Sequence, residues 1–421
     1  MSLDERIEHV TCLGCGCGCD DVTVTIRENL IVDASPVCPL GRAWFGDGQV
    51  PRQMLSGGRP ASLEEALESA AADLVRARGR CLIYVGSDLS SEAQRAALEI
   101  ADLVRGTVDS DTSDTAANGL LTAQRRGRAG ATLGEIRNRG DVFLFWGIDP
   151  AERYPRFLAR FCEPGGTHVP GGRSGREVIG VSVGADRTLS VADLTLALEP
   201  DEEIATLSFM RAAVSGHEVP GASPIASRAR DVVQRLVRAR YAVLVHDAEP
   251  TAEPRNPLRA EALSALAQAL NGPTRAALCS LRAGGNRVGA EAVLTSQTGY
   301  PFAVDYSRGY PRYMPELRGV SRLVSGAFDS VLIAGSPPIN VADTPLASVP
   351  TIVIGPRASQ ASHARVAIDT GVAGIHEGGT AYRMDEIPLL LRPSLSGAPS
   401  ALEVLTALGK AVRSALETEQ R

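Results

Sequence analysis

Five cysteines crowd the start of the chain: Cys12, Cys15, Cys17, Cys19 and Cys38. Cys12, Cys15 and Cys19 follow a C-x2-C-x3-C spacing, and Cys38 arrives after a segment that reads as a hairpin. Thiolates so spaced wrap one iron–sulfur cube or one tetrahedral zinc ion, because turns aim neighbouring sulfurs at a common centre. Soft sulfur ligands do not choose between the two. The plainer alternative is a set of reduced thiols that hold no metal. Cys17 is a spare, able to replace one ligand or to point outward. Cys81, Cys162 and Cys279 are scattered and read as buried apolar fillers. Outside an oxidising compartment, a cluster of this kind signals metal rather than a disulfide framework.

Other candidates for chemistry are weaker. Gly284-Gly285-Asn286 with Gly289 has the look of a phosphate-cradling loop. His168, His246 and His363 are isolated in sequence and read as structural.

The elements that must position these residues follow an alternating pattern. Val22, Val24 and Ile26 share one face of a strand, and Ile31 and Val32 follow a turn at Glu28-Asn29. That describes a small β-rich module around the cysteines. Ser62 is placed to cap a helix that starts at Leu63, and a second helix is expected from Ser91 to about Val104. Apolar runs at 81–86, 142–146, 178–183, 242–245, 276–278, 330–333 and 351–354 read as strands, with helices between most of them. Residues 165–175 and 216–226 read as loops, and a linker after Pro393 leads to an amphipathic helix from Ala401 to about Leu416. This rhythm predicts an α/β protein: a small cysteine module, then two doubly wound parallel sheets.

The predicted division is residues 1–55 for the cysteine module, 56–145 with 290–393 for one α/β domain, 146–289 for a second, and 394–421 for the linker and last helix. A chain of 421 residues suits several cores, and 44% hydrophobic with 22% charged residues is ordinary for a soluble globular protein. Lys410 is the only lysine, the net charge is −6, and no basic tract carries interleaved aromatics, so nucleic acid is not an expected partner. No run of about eighteen apolar residues suggests a membrane span. The opening MSLDERIEHV has no apolar stretch of signal-peptide type, which makes the cytoplasm the expected location. Aromatic residues make up 4% of the chain, a low share that suits a surface partly covered by other subunits.

Longer motifs carry a resemblance. Residues 297–313 (QTGYPFAVDYSRGYPRY) and 379–385 (GTAYRMD) resemble signatures of the B subunit of formylmethanofuran dehydrogenases, within the molybdopterin oxidoreductases. Residues 133–141 (LGEIRNRGD), 146–150 (WGIDP) and 154–156 (YPR) resemble the middle section of the same family. The resemblance runs from residue 11 to about residue 393. It implies that Cys12, Cys15, Cys19 and Cys38 derive from a 4Fe-4S-type site. It also implies two α/β domains that sandwich two pyranopterin dinucleotides around molybdenum or tungsten. The β-barrel that completes the pocket in the wider superfamily is not expected here, so another subunit would supply it.

The chain departs from the family where the metal should be held. The resemblance calls for a cysteine or selenocysteine ligand followed by histidine, yet residues 111–119 read DTSDTAANG, with Thr115 or Ala116 at the ligand position. No cysteine occurs between Cys81 and Cys162. Gly184-Ala185 and Gly355-Pro356 stand where an aspartate reads a guanine in related proteins, and glycine offers no acceptor. Asp149 replaces an asparagine beside a pyrophosphate. Arg308 and Arg312 remain in the segment that carries a catalytic arginine, and read as loop-holding vestiges. The expectation is a subunit without its molybdenum- or tungsten-pterin and without catalysis of its own. It is most like the B subunit of the bacterial formyltransferase/hydrolase complex, in tetrahydromethanopterin-linked oxidation of formaldehyde to formate. Amidohydrolase-like hydrolase, β-helical and formyltransferase subunits are then its partners. The alternatives are an active molybdenum or tungsten subunit of a dehydrogenase and a free-standing module that binds a small molecule or carries a pterin.

Overall fold

The structure, a computed structural model, describes residues 4–186, 189–217, 224–249, 255–318, 327–337 and 348–419, apart from the Asp114 and Pro224 side chains. It forms two units, Met1–Asp114 with Gly284–Arg421, and Thr115–Ala283.

The first unit opens with an antiparallel sheet of β1 (Glu5–Cys12), β2 (Cys19–Arg27) and β3 (Leu30–Ser35). Val22, Val24 and Ile26 of β2 are buried on one face, as alternation requires. Glu28 and Asn29 both take positive φ (51° and 58°), the geometry that lets a two-residue turn follow the twist of its strands. After β4 (Met54–Ser56) and β5 (Arg59–Pro60), the helix Leu63–Arg76 begins with a reciprocal cap. The Ser62 hydroxyl accepts from the Glu65 amide, and Glu65 accepts from the Ser62 amide. Such a cap contributes about 1 kcal/mol and fixes where the helix starts. Next come β6 (Cys81–Val85), the helix Ser91–Leu103 and β7 (Thr107–Ser110).

The chain then builds the second unit, with β8 (Val142–Trp146), β9 (Glu177–Val183), β10 (Leu194–Leu198), β11 (Ala242–Asp247) and β12 (Ala276–Leu281). They form an all-parallel sheet in the order β10-β9-β8-β11-β12. Helices Glu203–Val214, Pro224–Arg238 and Arg259–Leu270 contribute Leu207, Met210, Val232, Leu236, Leu263 and Leu266 to the core on one face.

Back in the first unit come β13 (Val304–Asp305), β14 (Arg312–Tyr313), β15 (Ser330–Ala334), β16 (Thr351–Gly355), β17 (Val366–Asp369), β18 (Gly379–Tyr382) and β19 (Pro388–Leu391). A nine-stranded sheet runs β14-β13-β7-β6-β15-β16-β17-β4-β5, parallel from β7 through β17 and antiparallel at both margins. Leu82, Tyr84, Val331, Ile333 and Val353 bury one face of it, while Ile83, Leu332, Ile352 and Ile368 bury the other. The final helix, Ala401–Glu419, packs Val404, Leu405, Leu408 and Val412 into this second core. β18 and β19 pair as a separate hairpin.

The two parallel sheets and the small antiparallel sheet match the expected class. The boundaries differ. β8 pairs with β9 and β11 in the second unit, so a division at 145/146 cuts through a strand, and the break lies at 114/115 instead. β7, β10 and β17 are strands that the apolar runs do not announce. Residues 165–175 end in a short 3-10 turn at Gly172–Gly175. Of the expected loop at 216–226, residues 218–223 lie outside the described residues and Pro224 already begins a helix.

Candidate functional site

The cysteines are set by the first hairpin. Cys12 ends β1 and faces Cys19 at the start of β2 across the ladder, and the loop between carries Cys15 and Cys17. Cys38 stands at the N-cap position of the helix Pro39–Phe45. Cys12, Cys15, Cys17 and Cys19 are buried, and Cys38 is half-buried. The Gly14 amide donates to the Cys12 sulfur at 3.4 Å, and a Cβ on Gly41 would lie 3.1 Å from that sulfur. Burial pushes the Cys12 thiol up to about 12, with Cys19, Cys15 and Cys38 adding to the rise. These three sulfurs therefore sit within electrostatic reach of the first. Among the described residues, no three His, Cys, Asp or Glu side chains are placed to hold one metal ion.

Remote segments brace this loop. The Gly285 amide donates to the Leu13 carbonyl at 2.8 Å, and the Met384 amide donates to the Gly16 carbonyl at 3.1 Å. Gly18 has φ +50°, and a Cβ there would stand 2.8 Å from Leu389 and 3.1 Å from Arg383. Arg383 is held by Asp385 through two bonds of 2.6 and 2.8 Å. The motif at 379–385 thus floors the cysteine loop.

This packing overturns the phosphate-cradle reading of Gly284-Gly285-Asn286. The Gly285 and Asn286 amides are spent on the carbonyls of Leu13 and Ser87. Asn286 is fully buried and ties two remote backbone stretches to its own: its Nδ2 donates to Leu89 O at 3.1 Å, and its Oδ1 accepts from the Tyr382 amide at 2.7 Å. A Cβ on Gly284 would come within 2.7 Å of the Leu13 and Gly14 carbonyls.

At the carboxyl ends of β6 and β7, residues 111–119 lie in helical turns. Thr112–Thr115 makes one turn, and Ala116 is buried at the cap of the helix Ala117–Arg126. Asp111 accepts from the Tyr84 hydroxyl at 2.7 Å and pairs with Arg287 at 3.3 Å. The Thr112 hydroxyl donates to Glu291 at 2.8 Å, and the Ser113 hydroxyl donates to buried Asp109. Between β6 and β15, the Ser336 amide and hydroxyl donate to Asp88 at 3.1 and 2.6 Å. Gly355 packs against Gly335 so closely that a Cβ would lie 2.6 Å from its carbonyl carbon. Arg308 is exposed. Arg312 pairs with Asp305 and reaches the Ser307 hydroxyl at 3.3 Å.

The carboxyl end of the second sheet is crowded with charge. Asp149 caps the helix Pro150–Arg153, accepting from the Ala151 amide at 3.0 Å. Gly184 is an exposed turn residue with φ +57°. Buried Glu203 accepts from Trp146 Nε1 at 2.7 Å and from Arg259 Nε at 2.5 Å, and Arg259 reaches Asp186 at 3.2 Å. Buried Asp247 takes Arg153 at 2.7 Å and the Tyr154 hydroxyl at 2.8 Å, while Arg282 pairs with Glu249 at 3.1 Å. His246 lies beside Ser280, 2.8 Å from Nε2 to the hydroxyl. Burial lowers its pKa to about 3, with Arg259 and Arg255 adding to the fall. Sequence reasoning misses this network. Its signal is the placement of charged residues directly behind apolar strands, at Asp247 after VLVH and Arg282 after ALCSL.

No family model matches the chain. The B subunit of a tungsten-containing formylmethanofuran dehydrogenase 2 from Methanocaldococcus jannaschii is 31% identical over 433 residues, covering 97% of this chain and 99% of the relative. The corresponding protein from Methanococcus maripaludis is 30% identical over 97% of this chain and 99% of its own. The B subunit of the formyltransferase/hydrolase complex Fhc from Methylorubrum extorquens is 28% identical, over 85% of this chain and 95% of its own. The crystal structure of the formyltransferase/hydrolase complex FhcABCD from Methylorubrum extorquens, with methylofuran, contains a chain of the same fold. It has a TM-score of 0.74 at 23% identity and covers 86% of this chain and 99% of that one. With identity above 30% along nearly its whole length, joined to the motifs at 297–313 and 379–385, the chain belongs to the B-subunit family of formylmethanofuran dehydrogenases.

Proposed function

We propose that this chain is a non-catalytic structural subunit of a cytoplasmic formyltransferase/hydrolase complex, working in tetrahydromethanopterin-linked one-carbon metabolism. The observation that carries the reading is the stretch at 111–119. Its ligand position offers Thr115 or buried Ala116, neither a thiolate, and its neighbours Asp109, Asp111 and Thr112 are engaged with other side chains. A molybdenum or tungsten ion there would have no protein sulfur. The pterin dinucleotides fit poorly as well. Gly184 and Gly355 present no acceptor side chain to a guanine, and Gly335 already fills the space in front of Gly355. The formyl chemistry then belongs to partners, an amidohydrolase-like hydrolase with metal-activated water and a formyltransferase, with a β-helical subunit completing the assembly.

The family resemblance favours an iron–sulfur cluster over a zinc ion at Cys12, Cys15, Cys19 and Cys38, and either would use the same four sulfurs. Amide donation such as that of Gly14 to Cys12 is the usual support for a bound sulfur. When bound, an iron–sulfur cluster would supply one-electron transfer and a covalent staple.

The second reading, an active tungsten or molybdenum dehydrogenase subunit, is favoured by the 31% identity to a tungsten-containing relative over 97% of the chain. Metal and pterin analysis of the native complex decides between the two. Absence of tungsten, molybdenum and pterin is expected. One tungsten or molybdenum per chain together with pterin would restore the dehydrogenase. Co-purification with hydrolase and transferase subunits is expected too, and a chain that purifies alone would be a free-standing module.

A further inference from the structure

The helix Leu63–Arg76 and the last helix, Ala401–Glu419, pack against each other in the first unit, and a groove open to solvent lies between them. Leu63, Leu67 and Ala71 are four residues apart, on one face of the first helix, and line one wall. Ala411 and Ala415 of the last helix line the other. From Leu63 to Ala72 the first wall runs for about 14 Å, at about 1.5 Å of rise per residue. A slot of that length between two helices, walled by leucine and alanine, suits the ridge of a third helix. Its edge is acidic. Glu64 and Glu68 are both exposed, one turn apart on the same helix, where like charges repel. No arginine or lysine lines the groove. Among the described residues neither carboxylate takes part in an ion pair, although elsewhere on this arginine-rich surface exposed carboxylates do, Asp4 with Arg27 and Asp329 with Arg80.

We propose that this groove docks an amphipathic helix of another subunit, whose apolar ridge fills the slot and whose lysines or arginines, one turn apart, meet Glu64 and Glu68. The apolar walls alone would take any apolar ridge, and the two carboxylates restrict the choice to a basic one. Docking also covers Leu63, which is exposed at one end of the slot. A second copy of this chain is the wrong occupant. Pairing about a two-fold axis through the groove would bring the same acidic edge to both sides, carboxylates against carboxylates. The proposal rests on the reading of the chain as a subunit of a larger complex.

The test uses the full chain in its native complex, with the photo-crosslinker benzoylphenylalanine in place of exposed Ala72. The crosslinked peptide should belong to another subunit and carry apolar residues at helical spacing with lysines or arginines one turn apart. A crosslink to a second copy of this chain, to a segment without basic residues, or to nothing in an intact complex overturns the proposal. If bulk at position 72 blocks assembly, the same probe in place of exposed Thr418 reads the contact from the other wall. Charge reversal gives an independent reading. Glu64→Lys with Glu68→Lys should keep its circular dichroism spectrum yet weaken retention of the crosslinked subunit about tenfold or more. Glu64→Gln with Glu68→Gln should weaken it less and make it less sensitive to salt. Wild-type assembly of the reversed variant overturns the docking site. A chain that purifies alone sinks the subunit reading and the groove with it, whereas a complex that assembles without regard to the groove sinks only the groove.

Discussion

The cysteine loop and the crevice of the second sheet both gather reactive groups, but of opposite kinds. The loop brings together four thiols that, ionised, can only repel; burial and mutual proximity push Cys12 up to about 12. The crevice brings together unlike charges, Arg259 with Glu203 and Asp186, and Arg153 with Asp247. The first set reaches its charged state only with an external cation. The second supplies its own counterions, Arg153 beside Asp247 and Arg259 beside Glu203. The lesson is that buried opposite charges satisfy one another within the fold, whereas a set of like donors must find its counter-charge outside it.

The largest effect should come from breaking the like-charged set. Cys12→Ser is expected to abolish iron content and lower the melting temperature by roughly 10 °C, read by metal analysis and scanning calorimetry. Unchanged melting with no iron in the wild type would reduce these cysteines to structural thiols. Next is the unlike-charged set. Glu203→Ala strands buried Arg259 and the Trp146 N–H, and should cost about 3–5 kcal/mol. Adding Arg259→Met should recover part of that, and a double variant as unstable as the single one would dissolve the idea of a self-satisfied network.

A smaller effect concerns pH. The His246 pKa is lowered from 6.5 to about 3, chiefly by burial, so the fold favours the neutral ring. Its contribution is present above pH 6.5 and is lost as pH falls towards 3, about 2 kcal/mol between pH 7.5 and 5. His246→Gln should flatten the stability curve over that window, and a variant tracking the wild type would remove His246 as the cause. Smallest are the arginines of the signature loop. Arg312→Ala should cost about 1 kcal/mol for the lost Asp305 pair, and Arg308→Ala about 0.5 or less. Neither should change hydrolase turnover of the assembled complex, and a large loss in an intact complex would count against a non-catalytic subunit.

Legibility in the sequence follows length and local contact. β6, β8 and β16 are unbroken apolar runs, and Ser62 with Glu65 carries its cap within four residues, so both are readable. β7 (TVDS) and β17 (VAID) are four residues long and end in polar residues whose carboxylates bond outside the strand, Asp109 to Ser113 and Asp369 to Ser359, so periodicity has nothing to work on. The glycine loop at 284–286 misleads because its amide partners, Leu13 and Ser87, lie some two hundred or more positions away. The strand ends of the second sheet are readable, but which carboxylate meets which arginine depends on packing that no spacing reveals. The 114/115 break is hidden because the chain turns from one unit to the other within a helical stretch rather than a Gly- or Pro-rich linker.

The first unit is written in two halves around the second. β6 finds its neighbour β15, and the helix Leu63–Arg76 its packing partner Ala401–Glu419, only after the intervening unit has been made. On the ribosome, Thr115–Ala283 is therefore free to fold while the earlier segment waits with an unpaired strand edge and an uncovered helix face. The cysteine loop waits too, since its braces at Gly285 and Met384 come later still. Biogenesis thus leaves an interval in which the thiols are open to cluster-delivery factors and to oxidants alike, and the hairpin of β18 and β19 closes it.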